Sequence, residues 1–239
     1  MAVAQTGFVP VSYSEVTSAP ASGPEANGME TALAAIANTA RALNAIEPLA
    51  THPGLADVAR AHALDMAVRG YVGYADPSGL SLLDQVRLSE RSALIGSFGS
   101  SIVVLDASAS AKQVHDALQS DPANAANLRR NFSHVGIGAH VSGDRLYVVQ
   151  LFARIDGVLD KPLPVRLTEA TVIRPSLVAS DMTPVGWSLS DASGEVLARG
   201  SGRRIQSSRN EPLQGYLNLD VAVGTDVYTL RGPYIQVSK

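Results

Sequence analysis

The sequence changes character at one proline-containing segment, residues 161–164, which holds Pro162 and Pro164. Before it, apolar residues recur at intervals of three and four over long stretches, a spacing typical of helices. After it, short runs of alternating apolar and polar residues are separated by turn residues, which is typical of strands. At 239 residues the chain is also longer than most single domains. The sequence therefore predicts two modules that join near residue 160.

The first module, residues 29–156, is predicted to combine helices and strands. One helix is expected to begin at a cap on Thr51 and to end at Gly70, because its apolar residues share one face and glycine is favoured after a helix. The stretch between Gly79 and Ser108, which contains several serines, is predicted to be rich in loops. Two alternating runs, 134–141 and 146–154, flank a four-residue turn and predict an antiparallel hairpin.

The two ends of the chain are predicted to differ from this core. Residues 1–28 show no hydrophobic period and contain several glycines and prolines, so we expect a flexible leader. Residues 160–239 are predicted to form a small all-β, sandwich-like module. Together these regions indicate an α+β protein.

Composition and charge exclude several classes of protein. The net charge is −3, with 19 basic and 22 acidic side chains, so no basic surface for nucleic acid is expected. No stretch approaches the roughly 20 apolar residues of a transmembrane helix. The chain has no cysteine, which excludes disulfides and thiolate metal ligands. We therefore expect neither a nucleic-acid partner nor a transmembrane segment.

The first residues bear on localisation. Residues 2–4 are Ala-Val-Ala, the small-residue pattern that precedes signal-peptidase cleavage. We therefore expect a natural precursor with a signal peptide and a mature protein that is secreted or periplasmic. A cytoplasmic protein with an alanine-rich start is the alternative.

The common enzyme signatures are absent. The sequence has no H-E-x-x-H, G-x-S-x-G or G-x-x-x-x-G-K motif, so zinc-protease, serine-hydrolase and nucleotide-binding functions lose support. His62 lies four residues from Val58 and from Met66, on an apolar helix face. This spacing favours a hydrogen-bonded core histidine, and a ligand role is the alternative.

The order of several short segments is more informative than any single motif. They follow one another along the chain and occupy residues 38–41, 48–49, 55–67, 71–79, 120–128, 132–138 and 147–153. Together they resemble the CAP superfamily of cysteine-rich secretory, antigen 5 and pathogenesis-related proteins. The resemblance is strongest to the cysteine-free, SCP-like bacterial branch. The resemblance covers about half the chain and leaves out the region after residue 160.

This resemblance implies an α-β-α sandwich with a cleft. In typical members the cleft holds two histidines and acidic residues that can bind a divalent cation. At the matching positions this chain has Tyr74 for one histidine, Asn124 for the other, and Ser100 for the acid, followed by Ser101. Ala125 stands where the family has an arginine.

These replacements change the chemistry that the cleft supports. Hydroxyl, phenol and amide groups are weak ligands for zinc-type cations and poor proton carriers near neutral pH. We therefore expect a hydrogen-bonded cleft of Tyr74, Ser100, Ser101 and Asn124, with no catalytic residue, no metal and no cofactor. His62, Ser120 and His134 are secondary candidates for the cleft.

The resulting hypothesis is a secreted or periplasmic, non-catalytic CAP-domain protein. Its degenerate cleft and its β-module would bind a protein, an envelope polymer or a small apolar ligand. A divergent hydrolase of the same family is one alternative, and a lipid or sterol carrier is another.

Overall fold

The computed structural model describes residues 24–167, 170–205 and 213–237. The helices are α1 Pro24–Ala42, α2 Pro53–Arg69, α3 Leu82–Ser89, α4 Ala111–Ser120 and α5 Pro122–Arg129. The strands of the first module are β1 Ala50–Thr51, β2 Ala93–Asp106, β3 His134–Ser142 and β4 Arg145–Leu159. Those that follow are β5 Arg166–Leu167, β6 Thr171–Val172, β7 Pro175–Leu177, β8 Thr183–Ser190, β9 Val196–Ser201, β10 Arg204–Ile205, β11 Leu213–Val223 and β12 Asp226–Val237.

The ends of the first helices differ from the sequence-based expectation. Residues 1–23 of the predicted leader lie outside the described residues, and 24–28 belong to α1. Proline suits the first turn of a helix because its missing N–H would be unpaired there. His52, and not Thr51, caps α2, since its Nδ1 accepts a hydrogen bond from the amide of Leu55. Gly70 ends α2 with φ +67°, as predicted.

The predicted hairpin is present as β3 and β4, paired from His134–Ala153 to Ser142–Arg145. The other side of β4 pairs with β2, which lies in the stretch that was predicted to be rich in loops. That prediction was wrong. Glycine and serine weaken a strand locally, but thirteen residues of β2 find partners on β4.

Helices cover both faces of this sheet. On one face, Leu55 and Met66 of α2 and Val86 of α3 share a core with Leu151 of β4. On the other face, α1 and α4 pack against Phe152 of β4. Neighbouring residues of a strand point to opposite faces, so β4 serves both cores. The first module is therefore an α-β-α sandwich, as expected.

The second module is rich in strands and continues the same sheet. The strands of this shared sheet follow the order β1-β3-β4-β2-β12-β11-β8-β9. The two modules are joined in it by the pairing of Ile95 in β2 with Arg231 in β12. The core around Trp187 also contains Leu94 and Leu159. The two modules thus share a sheet and part of a core.

Buried arginines hydrogen-bond to backbone carbonyls of segments that are distant in the sequence. Arg41 of α1 is 1% exposed and donates four hydrogen bonds to backbone carbonyls. Its acceptors are Glu47, Leu128, Arg130 and Phe132, at 2.7–3.0 Å. Burial lowers the pKa of Arg41. The guanidinium thus supplies hydrogen bonds to a carbonyl that follows α1 and to carbonyls in and after α5.

Substitution of Arg41 by Met is expected to lower the free energy of unfolding by about 3 kcal/mol or more, because the carbonyls lose their donor while they stay buried. Urea denaturation followed by circular dichroism measures the change. The matched control is Arg129→Met, since Arg129 is exposed at the end of α5. Equal midpoints for the two variants would contradict this structural role for Arg41.

Candidate functional site

The candidate cleft lies at the outer edge of β2. The only strand pair between β12 and β2 in the described residues is Arg231–Ile95, so the edge of β2 beyond residue 96 faces no neighbouring strand there. Helix α5, in one helical layer, contacts this edge through Asn127. The loop 71–81, which follows α2 in the other layer, contacts α5 through Tyr74. The cleft is therefore where the two helical layers meet.

Tyr74 and Asn124 make the contact between these layers. The Tyr74 hydroxyl donates to Oδ1 of Asn124 at 3.5 Å. Asn124 is buried at the start of α5, where Asp121 caps the helix by accepting from its amide at 2.9 Å. The Tyr74 side chain is 51% exposed. The structure thus brings together two predicted site residues that lie fifty positions apart.

Asn127, one turn after Asn124, connects α5 to β2. Its Nδ2 donates to the carbonyl of Ser100 at 2.9 Å and to Oγ of Ser101 at 3.0 Å. Gly99 permits this approach, because a Cβ there would lie 2.7 Å from Oδ1 of Asn127. Asn127 was not predicted as a site residue. Residues three apart on a helix are neighbours on its surface, so the spacing from Asn124 could have indicated Asn127 from the sequence.

Ser100 and Ser101 point to opposite faces of the sheet. Ser101 is buried against α5 through Asn127. Ser100 is next to it in the strand and so shares a face with Phe98 and Ile102, which pack against the core under α2 and α3. Only the backbone carbonyl of Ser100 contacts Asn127. The four predicted residues therefore lie around one edge of β2, but their side chains do not all converge.

Both ring nitrogens of His62 have partners inside the protein. Its Nε2 lies 2.8 Å from the carbonyl of Gly73, and its Nδ1 lies 3.3 Å from Nε2 of Gln85. The carbonyl accepts only, so Nε2 carries the proton and Nδ1 accepts from the amide. The side chain is 1% exposed and packs edge-on against Tyr71. His62 holds the loop that carries Tyr74 and presents no free nitrogen to a ligand.

His134 and Ser120 lie away from the Tyr74–Asn124 contact. His134 begins β3, so β4 separates it from β2. Ser120 ends α4, where its hydroxyl donates to the carbonyl of Ala117 at 2.7 Å. Neither side chain contacts Tyr74 or Asn124 in the described residues.

His134 belongs to a separate group of titratable side chains. Its ring meets that of His52 edge-on at 5.7 Å, and Nε2 of His52 lies 3.9 Å from Oε2 of Glu90. Nδ1 of His134 is 2.8 Å from Oγ of Ser133. Burial, and then the charge of His52, lower the pKa of His134. The folded protein therefore disfavours the protonated form of His134.

This shift predicts a dependence of stability on pH. The unfolded imidazole takes up its proton near pH 6.5, and the folded one does so at a lower pH. The unfolded state then binds more protons, so the free energy of unfolding decreases as the pH falls below about 6.5. We expect His134→Gln to flatten this slope in urea denaturation between about pH 7 and 5. Burial also lowers the pKa of His115, so part of the slope remains in the variant.

The control for this experiment is His140→Gln, on the same strand. It is expected to keep the slope of the unsubstituted protein. If His134→Gln keeps that slope as well, His134 does not titrate with a lowered pKa in the folded protein.

The cleft groups do not fit a divalent cation. Tyr74 and Asn124 offer a phenol and an amide, and no group of three or more His, Asp or Glu residues suited to a metal occurs in the described parts of the chain. Zinc-type ions require imidazole nitrogen, thiolate or carboxylate oxygen. The donor set present here forms hydrogen bonds instead.

We expect no stoichiometric binding of zinc by the unmodified protein at micromolar concentration in calorimetry, because the cleft lacks imidazole and carboxylate ligands. The double variant Tyr74→His/Asn124→His places two imidazoles at tips now 3.5 Å apart and is expected to gain zinc affinity. Zinc binding by the unmodified protein that Asn124→Ala abolishes would contradict this prediction.

The comparisons with known proteins bear on the first module. Residues 35–152 match the model of the cysteine-rich secretory protein family, CAP. The search of curated proteins returned no match. No helix in the described residues is long and apolar enough to cross a membrane.

Two solved structures are similar at low identity. One is an extracellular protein containing an SCP domain from Bacillus anthracis str. Ames, with 20% identity and a TM-score of 0.47. That match covers 56% of this chain and 45% of the other, so the chain spans less than half the length of that relative. The other is an outer surface protein from Borrelia burgdorferi, with 12% identity, a TM-score of 0.46, and coverage of 54% and 93%.

Proposed function

This chain contains a CAP domain over residues 35–152, and on that premise we propose that it is an exported, non-catalytic binding protein. The observation that carries the proposal is the contact between Tyr74 and Asn124 in the cleft. It is a hydrogen bond between a phenol and an amide at the two positions where the family has histidines. The ligand classes considered are a protein, an envelope polymer and a small apolar molecule.

The chemistry of the cleft supports binding over catalysis. A general base or acid works best with a pKa near the operating pH, and amides and hydroxyls do not exchange protons there. His62 is the nearest imidazole along the chain to Tyr74, and its two nitrogens are held by Gly73 and Gln85. Asn124 and Asn127 accept and donate hydrogen bonds without changing charge. Such groups orient a ligand and leave its bonds intact.

Exposed apolar side chains near Tyr74 in the sequence support a contact with apolar groups. Val68 is 74% exposed at the end of α2, and Val72 is 59% exposed in the following loop. Tyr74 follows in the same loop with half its surface accessible. Exposed apolar side chains grouped beside a polar cleft are typical of binding surfaces. A ligand would contact these apolar side chains and the Tyr74 ring, with hydrogen bonds to the asparagines.

Export is part of the proposal. The matching family is described as secretory. The absence of cysteine is compatible with the cell envelope, because this domain gains its stability from a large shared core and not from disulfides. Secretion and periplasmic retention are both consistent with this proposal.

The proposal is tested by comparing binding and turnover in the same samples. The probes are purified peptidoglycan sacculi, for cosedimentation, and palmitate, for native mass spectrometry. Chromogenic ester and peptide substrates report hydrolysis. The expected result is binding to one of the two probes that Tyr74→Ala weakens about tenfold, with no turnover.

The matched control is Tyr228→Ala, because Tyr228 on β12 is 49% exposed and lies outside the cleft. It is expected to bind as well as the unmodified protein. Turnover that Asn124→Ala abolishes would overturn the non-catalytic proposal and favour the hydrolase alternative. A fatty acid or sterol that co-purifies with the protein before any probe is added would select the lipid-carrier alternative. Binding that Tyr74→Ala leaves unchanged would remove the cleft as the binding site.

A further inference from the structure

A second cleft, of about 340 Å³, lies where α3 meets the strands of the second module. Its walls are polar and come from both modules. The residues that matter for its chemistry are Asp84, Arg87, Asp191, Ser193, Asn218 and Arg231. Tyr74, Ser101 and Asn124 are not part of its lining. It is therefore a different site from the cleft at the edge of β2.

Arg87 forms the floor of this junction cleft. The side chain is only 7% exposed, and its guanidinium stacks on the Tyr216 ring at 4.7 Å. Its Nε donates to the carbonyl of Gly232 at 2.8 Å, and its Nη2 donates to the carbonyl of Leu217 and to Oδ1 of Asn218 at 2.7 and 2.9 Å. Three of its five N–H groups are thereby used.

The two hydrogens on Nη1 of Arg87 have no acceptor among the described residues. No fully buried side-chain nitrogen or oxygen in the described residues lacks a hydrogen-bond partner. Nη1, which has no partner, is therefore not fully buried. Arg87 is also one of the residues that line the cleft. A nine-tenths buried arginine of the cleft lining therefore has one guanidinium nitrogen, Nη1, without an acceptor among the described residues.

Arg231 adds a second cationic group to the same cleft. Its one hydrogen bond in the described residues runs from Nη1 to the carbonyl of Gly96 at 3.2 Å. Most of its guanidinium is thus free to donate. Burial lowers the pKa of Arg87 to about 10, the negative charge of Asp84 raises it in part, and the positive charge of Arg231 lowers it. The two guanidiniums are close enough to repel each other.

The carboxylates of the cleft form no ion pair with these cations, although the charge of Asp84 acts on Arg87. Asp84 accepts from the Ser81 hydroxyl at 2.6 Å, at the cap of α3. Asp191 accepts from the amides of Ser193 and Glu195 in a tight turn, both at 2.9 Å. In the described residues neither carboxylate lies within 4.0 Å of a guanidinium nitrogen of Arg87 or Arg231. Both acids are held by local turns.

We propose that this junction cleft binds a small monocarboxylate between Arg87 and Arg231. A carboxylate can accept two parallel hydrogen bonds from the guanidinium of Arg231 and one from Nη1 of Arg87, and its charge relieves the repulsion between the two cations. Asp84 and Asp191 at the walls repel anions of higher charge. This excludes polyanions and favours a compact ligand with a single negative charge.

The test is a titration of the full-length protein with propionate, followed by the NMR signals of the arginine Nε–H groups. The expected result is saturable binding that shifts the signals of Arg87 and Arg231. Arg231→Gln should weaken it about tenfold, because charge-assisted hydrogen bonds are lost. Arg231 is the preferred site for substitution because it makes a single protein hydrogen bond, so the variant is expected to fold.

The titration is repeated with a control variant and with a second anion. Arg199→Gln, at an exposed arginine of β9, is the matched control and should bind propionate as the unmodified protein does. Inorganic phosphate should bind more weakly than propionate at the same ionic strength. Equal or tighter phosphate binding would overturn the monocarboxylate assignment in favour of a general anion site. Propionate shifts that do not saturate, or that Arg231→Gln leaves unchanged, would overturn the site itself.

Discussion

The backbone of α2 lies directly on β3, and the position of the candidate cleft depends on that contact. Two glycines make it possible. A Cβ on Gly136 would lie 2.3 Å from the amide nitrogen of Ala56, and one on Gly138 would lie 2.1 Å from that of Arg60. Any side chain at either position would push the helix off the sheet. Because α2 is held there, the loop that follows it reaches over β2 and presents Tyr74 to α5.

Buried arginines and acids supply the specificity that apolar packing alone lacks. Arg41 joins α1 to the segment around α5 through carbonyls, and Arg87 joins α3 to the second module in the same way. Arg60 of α2 pairs with Glu30 of α1 at 2.7 Å, and Glu30 also accepts from the amide of Ala139 in β3. Each of these groups satisfies polar atoms that would otherwise be buried without partners. Misplaced docking of a helix or module would break several such bonds at once.

The two clefts are connected through one short segment. The amide of Leu82, at the start of α3, donates to the carbonyl of Tyr74 at 3.2 Å. Ser81 caps α3 and lines the junction cleft. The loop that carries Tyr74 therefore ends at the wall of the second site. The same helix α3 places Arg87 in that site.

The sequence by itself determined several local secondary-structure elements and one long-range contact. Helix α2, its end at Gly70 and the β3–β4 hairpin follow from periodicity and turn residues, which act over a few positions. The contact of Tyr74 with Asn124 was expected from the order of the family segments. The tertiary structure alone decided the rest. The serine- and glycine-rich β2 becomes a strand because β4 supplies its hydrogen-bond partners, and the sheet crosses residue 160 because Ile95 pairs with Arg231. Arg87 and Arg231 share a cleft for the same reason, since pairing between strands distant in the sequence brings their side chains together and no local pattern encodes that proximity.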